Sequence, residues 1–405
     1  MRCSYPRLRT LSLTAALALL AAAATAQEAP ATSRFDIYGF AQLDMGKQIG
    51  QVNPDWYDVL RPSRLPSFEN EFAPDGQFFG SVRQSRFGVT SATPTSAGEL
   101  STIFEFDMFG VGANAGQTTI RLRKAYGQLG KFGAGQTNSA FMDIDVFPNT
   151  FEYWGPNGMV FFRNIQVRYM PIQGESFLTI ALENPGASAD GGLYADRVEL
   201  AGVTAKFPVP DLTAQYRAAQ KWGYVQLGGV LRDIEWVDLN ATPTRDFSGS
   251  TVGWGLSLSS NIKLKKDVVR LQGVYGEGIQ NYMNDAPVDI GIQNNFSNTV
   301  SPVIGVALPM WSMVAFYDRT WNDKWTSSIG YSQLVVTNSD GQAPDAFHSG
   351  AYAAVNLVYN PVPNVYAAIE YTWGNRKNNS DGWSYDDNRV AVSFKYSFSH
   401  KLGGN

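Results

Sequence analysis

The chain has 405 residues, 32 basic and 36 acidic, with a net charge of −4. An acidic balance gives no electrostatic reason to bind nucleic acid. The single cysteine, Cys3, falls in the N-terminal leader, so the rest of the chain has no disulfide, thiolate metal site, catalytic cysteine or lipid-modified N-terminal cysteine.

Met1 to Thr10 carries Arg2, Arg7 and Arg9, Leu11 to Ala24 is small and apolar, and Ala24-Thr25-Ala26 supplies a small-x-small cleavage pattern. Residues 1–26 therefore read as a secretory signal peptide, the run being short of the ~20 residues a membrane helix needs. Its removal leaves 29 basic against 36 acidic residues, a net charge of −7. Aromatics make up 13% of the chain and there are 39 glycines. With no later apolar run of helical membrane length, this favours one large β structure over two or three ordinary domains.

Residues 27–34 form a short polar periplasmic lead. From Phe35 the chain alternates with period two, which puts successive side chains on opposite faces of a strand. Ile37, Gly39, Ala41 and Leu43 oppose Asp36, Tyr38, Phe40, Gln42 and Asp44. After an irregular polar segment, Gly46 to Gln77, strands follow at Ser85–Val89, Leu100–Asp107 and Thr118–Gly130. Strand pattern resumes at Arg163–Met170 and Leu178–Glu183, with a long insert from Ala134 to Met159 before it. Residues 184–211 read as a loop. Further strands fall at Leu212–Ala219, Val225–Arg232, Val252–Ser259 and Val269–Tyr275, then around Ala307–Asp318, where alternation is poor and Pro309 intrudes. The last lie at Ser328–Ser332, Ala354–Tyr359, Val365–Trp373 and Arg389–Phe398. The runs named number fifteen, and the expected tally for the barrel is sixteen strands.

Short connections such as Thr93 to Gly98, Gln220 to Gly223 and Pro361 to Pro363 alternate with long ones. Outer-membrane barrels are strung this way, with tight periplasmic turns and long outer loops, and a secreted β-sandwich has no reason for it. The fold class is all-β: a 16-stranded antiparallel transmembrane β-barrel over residues 35–398, with a short C-terminal extension, residues 399–405. Phe141, Phe147, Phe151 and Trp154 need burial that an external loop would not give, which places the insert inside the barrel.

Several runs carry a family pattern: Phe35-Asp-Ile-Tyr-Gly-Phe-Ala-Gln-Leu-Asp, Ser85-Arg-Phe-Gly-Val, Phe104-Glu-Phe-Asp and Arg121-Leu-Arg-Lys-Ala-Tyr-Gly-Gln-Leu-Gly. Gly155-Pro-Asn-Gly-Met and Pro210-Asp-Leu-Thr-Ala-Gln-Tyr-Arg continue it. Together they resemble the DcaP-like outer-membrane porins across essentially the whole mature chain. The resemblance implies a homotrimer of 16-stranded barrels in outer-membrane lipid and lipopolysaccharide, each with an inward-folded third loop. It also implies passive uptake of small anionic solutes, dicarboxylates among them. Some members carry a periplasmic coiled coil; with about eight residues before the barrel, none is expected here. Phe398, the terminal-strand aromatic, is followed by seven more residues, so the assembly signal is internal.

With the apolar face assigned to lipid, the lumen receives Arg86, Arg121, Arg123, Arg168, Arg217, Arg232, Arg270, Arg389 and Lys395, the candidate pore-lining and constriction residues. Against them stand Asp36, Asp44, Glu105, Asp107, Glu183 and Glu370. Arginine suits an anion path because its planar fork matches a carboxylate and stays charged, provided binding is weak enough for release. The alternative for any one arginine is that it braces the insert, whose polar residues are Asp143, Asp145, Glu152, Tyr153 and Trp154. Arg83, Lys124 and Arg163 have the wrong parity and are assigned to rims or bulges. His348 and His400 lie far in sequence from any activated-serine pattern, so no catalytic dyad is expected. Asp143-x-Asp145 and Asp386-Asp387 meet no full metal-ligand set, and no cofactor is expected. The expected function is an anion-favouring porin and not an enzyme; an adhesin or scaffold barrel, or a barrel hydrolase, is the alternative.

Overall fold

Alternating side chains cannot leave a sheet edge unpaired in lipid, so the sheet has to close on itself. The computed structural model describes residues 33–403, and in it the closure is complete. The strands are β1 (Arg34–Gln48), β2 (Phe78–Ser81), β3 (Arg86–Thr95), β4 (Gly98–Phe109), β5 (Thr118–Leu129), β6 (Phe132–Asn138) and β7 (Arg163–Ile172). They continue with β8 (Phe177–Glu183), β9 (Val203–Lys206), β10 (Asp211–Gln220), β11 (Gly223–Asp238), β12 (Gly249–Leu264) and β13 (Asp267–Glu277). The last are β14 (Ile290–Asn294), β15 (Val303–Ala307), β16 (Pro309–Thr320), β17 (Trp325–Val336), β18 (Phe347–Val362), β19 (Val365–Asn378) and β20 (Ser384–Leu402). Sixteen of them, all except β2, β9, β14 and β15, form one antiparallel barrel sealed where β20 pairs with β1 from Phe35↔Leu402 to Gln48↔Arg389. The other four are loop elements: β2 lies on the upper end of β1, β9 on the end of β11, and β14 and β15 form a hairpin.

Seven short turns join strands at one end, where both described ends of the chain also lie. The other end carries eight longer connections, here L1 (49–85), L2 (110–117), L3 (139–162), L4 (184–210), L5 (239–248), L6 (278–308), L7 (337–346) and L8 (379–383). Outward-facing Leu227, Leu256, Ile329, Leu357 and Ile369 are exposed, while inward Gln226, Ser257, Ser328, Asn356 and Glu370 are buried. That is the lipid-out, polar-in pattern of a membrane barrel. Residues 184–211 are mainly loop as expected, with β9 within them and β10 beginning at Asp211.

The structure revises several readings. The signal peptide and most of the lead fall outside the described residues. Phe132–Asn138, partly assigned to the insert, is the strand β6, paired with β5 and β7, so the insert begins at Ser139. Gly133 and Gly135 hide its pattern. At Gly133 the Tyr126 ring lies where a Cβ would be. The poor alternation of β16 also has a cause. Its inward Met310, Val314 and Phe316 are buried against loops inside the barrel instead of meeting water. At the far end, β20 runs past Phe398 to Leu402, so residues 399–402 are barrel rather than extension.

These residues seal the seam through Tyr38↔Ser399, Ile37↔His400, Asp36↔Lys401 and Phe35↔Leu402. Each lost backbone hydrogen bond there costs about 0.5–1.5 kcal/mol net. A chain ending at Phe398 is therefore expected to lose its heat-resistant folded gel band at a lower temperature than the full chain; an unchanged temperature would show that the last rungs contribute nothing.

Candidate functional site: the lumen and its inserted loops

A loop enters a barrel only if its backbone polar groups find partners there. L3 finds them along the inner wall of β8 to β19. At its start Glu183 accepts from Ser139 Oγ (2.8 Å), Ala140 N (2.9 Å) and Thr213 Oγ1 (2.6 Å). Asp143, almost wholly buried, accepts from Tyr224 (2.9 Å), Ser259 (2.6 Å) and Arg217 (2.7 Å). Farther on, Glu370 accepts the backbone N–H groups of Phe151 (3.1 Å) and Glu152 (3.0 Å), and Ser332 Oγ accepts that of Gly158 (2.8 Å). Phe141 and Phe151 are buried, and Phe147 packs on the core beside L1.

Two further loops fold in beside it, which the sequence reading did not foresee. L1 brings Leu60 and Leu65 onto Val146 and Met159 of L3. L6 brings Ile279, Tyr282 and Met283 onto Phe141 and Val160. Arg61 joins all three: it pairs with Asp285 (2.9 Å), and its guanidinium lies 4.1 Å and 4.0 Å from the ring centres of Trp56 and Trp154. Trp154 Nε1 donates to Asn284 O (2.7 Å), and Asn284 Nδ2 donates back to Trp154 O (2.5 Å). Arg83, set aside at the sequence level, is fully buried and holds Asp58 of L1 (2.6 Å). The available signal was the same as for L3: Val59, Leu60 and Leu65 are apolar residues in a segment otherwise read as polar and irregular.

The nine predicted cations divide by what they touch. Arg232 and Arg389 are buried toward the outer end and hold structure. Arg232 bridges Asp211 (3.0 Å) and Asp289 (2.8 Å), while Arg389 donates to Tyr57 O (3.1 Å) and Val59 O (2.9 Å) of L1. Arg217 and Arg270 brace L3, Arg217 through Asp143 and Asp145, Arg270 through Asp145 O and its own partner Asp318. Arg121 and Arg123 face the lumen but are paired, with Asp107 (2.6 and 2.7 Å) and, for Arg123, Glu105 (2.8 Å). Tyr153 caps them, donating to Asp107 (2.7 Å) and accepting from both arginines.

The remaining three sit differently. Arg168 donates to neutral Gln166 Oε1 (2.6 Å) and Asn138 O (2.6 Å) with its guanidinium 5.4 Å from the Tyr126 ring. Lys395 lies 4.0 Å above Phe40, and Arg86 lies 5.2 Å from the same ring, at 3.9 Å from Glu105. Two residues of the wrong parity join them. A bulge in β5 sets both Arg123 and Lys124 on the inner side opposite Glu105. Arg163, first residue of β7, lies over Phe161 of L3 at 5.0 Å. Among the described residues, Lys124, Arg163, Arg168 and Lys395 make no ion pair within 4 Å. They lie on β5, β7 and β20, within the arc of the barrel that runs from β20 through β1 to β7. No group of three or more metal-ligating side chains occurs among the described residues.

The model of the DcaP outer membrane protein family matches residues 69–398. The chain belongs to that family. A solved structure of the outer-membrane channel DcaP of Acinetobacter baumannii is 20% identical, with a TM-score of 0.75 over 90% of this chain and 97% of that one. An anion-selective porin from Comamonas acidovorans is 10% identical with a TM-score of 0.59, covering 90% and 100%. The trimer form of OmpT from Vibrio cholerae is 12% identical with a TM-score of 0.53, covering 90% and 99%. No curated protein matches. By family and by fold this chain is thus an outer-membrane β-barrel protein.

Glu152 ties L3 to L1 in this DcaP-family barrel, accepting from Leu60 N (3.0 Å) and Gly155 N (2.6 Å). Burial pushes its carboxyl from about 4.5 up to about 7, against the pull of Arg389 and those N–H groups, while Glu370 adds to the rise. Between those values the folded loop holds a proton that the unfolded chain releases, so docking is strongest below about 4.5 and weakens up to about 7. Resistance to unfolding in urea is expected to fall from about pH 4.5 to about pH 7.5 more in the wild type than in Glu152→Gln. Identical pH profiles would show that Glu152 does not titrate in this window.

Proposed function

We propose that this barrel is a passive diffusion channel for small hydrophilic solutes that favours anions, dicarboxylates among them. The observation that carries the reading is the set of lumen-facing cations without carboxylate partners, Lys124, Arg163, Arg168 and Lys395, on one wall. Aromatic rings hold Arg163, Arg168 and Lys395 in place without cancelling their charge. Glu105 and Asp107 sit in contact with Arg121 and Arg123, where an ion pair at about 4 Å is worth roughly 4 kcal/mol at an effective dielectric near 20. Beyond about 8 Å salt screens those acids, which leaves the unpaired cations to act on a passing solute. The anion-selective porin of the same fold adds support. The trimer form of OmpT supports a homotrimer, embedded in outer-membrane lipid and lipopolysaccharide through its apolar outer face. Export would use the N-terminal signal peptide, residues 1–26. The constriction assignment for Arg121 and Arg123 is narrowed: they frame the passage as a neutralised group with Tyr153, and the net field comes from their neighbours.

A charge about 8 Å from a solute anion in water is worth ~0.5 kcal/mol before screening. Removing three of them is expected to slow dianion entry by roughly five- to tenfold. Liposome swelling with Lys124→Gln, Arg163→Gln and Arg168→Gln combined tests this. Succinate entry should fall by that factor while a neutral sugar of similar size enters at nearly the wild-type rate. An unchanged ratio of succinate to sugar would mean that these cations do not set selectivity.

A further inference from the structure

Under L3, at the short-turn end of the barrel, lies a half-open cavity of about 530 Å³, lined by residues outside the set of unpaired cations named above. A volume of that size is typical of small-molecule sites. Arg217, Lys263 and Arg270 bring three cations to its wall against the carboxylates of Asp145 and Glu175, with Arg270 also paired to Asp318 (2.5 Å), and Tyr224 and Asn261 add polar edges. The Arg217 guanidinium stacks 3.8 Å from the Tyr224 ring and is fixed by Gln226 Oε1 (2.9 Å). One Nη donates to Asp143 (2.7 Å), and the other donates to Asp145 (2.5 Å), which reaches into the cavity from L3.

The two aspartates differ in kind. Asp143 is buried, and both of its oxygens are satisfied by Arg217, Tyr224, Ser259 and the N–H of Asp145. The Asp145 side chain is 55% exposed and meets only Arg217. Its backbone is held separately: Asp145 O accepts from Asn261 Nδ2 (2.7 Å) and from Arg270. The carboxylate can therefore leave without releasing the loop, and a half-exposed ion pair of this sort contributes little that would hold it there.

We infer that this cavity is a periplasmic-side binding site for a small carboxylate solute, occupied in the resting barrel by the channel's own Asp145. The inference rests on the anion reading above and adds a second station to it. The Asp145 carboxylate stands where one carboxylate of the solute would sit, stacked arginine on one side and Arg270 and Lys263 beyond. An arriving dianion takes its place on Arg217, and its second carboxylate meets Lys263, which lines the same cavity and, among the described residues, makes no ion pair within 4 Å. No bond is made or broken beyond this exchange of ion-pair partners.

The test is Asp145→Asn in the full chain, in planar bilayers, with succinate added on the short-turn side as a blocker of the chloride current. The substituted amide keeps the backbone bonds and frees Arg217, so half-block should need several-fold less succinate than in the wild type. Adding Arg217→Gln to that variant should abolish the gain. Equal succinate sensitivity in wild type and Asp145→Asn overturns the inference, as does a gain that survives the loss of Arg217. Asp145→Ser, which also removes the charge, carries the same comparison if the first variant refolds poorly. The two ideas separate on the same traces: a wild-type preference for K⁺ defeats the anion reading, whereas the succinate difference between variants decides the site.

Discussion

Every residue of a closed membrane strand faces either lipid or lumen, and a lumen-facing side chain must then meet a loop or water. That division organises the barrel. On β10 to β19 the lumen side is met by L1, L3 and L6, and it is dry enough to hold Val314, Phe316, Leu334 and Tyr352. On β5 and β20 the loops cover Arg123 and Arg389, and beside them, on β7 and β20, Arg163, Arg168 and Lys395 stand on aromatic rings instead of on carboxylates. The filled half depends on acids that gather backbone N–H groups, Glu183, Glu152 and Glu370. Each such hydrogen bond is worth about 0.5–1.5 kcal/mol net, and together they offset the cost of ordering a loop away from water.

The same logic explains why the arginines, alike in sequence, behave differently. Arg232, buried between Asp211 and Asp289, is a structural ion pair whose loss would strand two buried carboxylates. Arg217 is a brace with one permanent and one loosely held partner. Arg168, held by an amide and a carbonyl, keeps its charge for the lumen. Arginine density alone therefore does not locate a field; the count that matters is of cations with no acid in contact.

Much of the architecture was legible in the residues. Strands with one wet and one greasy face, such as β19 and β20, announced themselves, and the long-short rhythm of connections oriented the barrel. The period-two signal failed at β16, where L1 and L3 make the inner face apolar as well, and at β6, where two glycines remove the side chains that carry it. The candidate site was less legible, because pairing depends on register across strands. Nothing local in the sequence says that Asp107 lies opposite Arg121, or that a bulge turns Lys124 inward. The inward course of L1 and L6 was missed for a related reason: Leu60 packs against Met159, far away along the chain.

The central claim is that unpaired cations on one wall override the acidity of the whole chain. It is tested most directly by the zero-current potential of the wild-type protein in a planar bilayer across a tenfold KCl gradient. The structure predicts a potential displaced toward the chloride equilibrium value. Displacement toward the potassium value would contradict it.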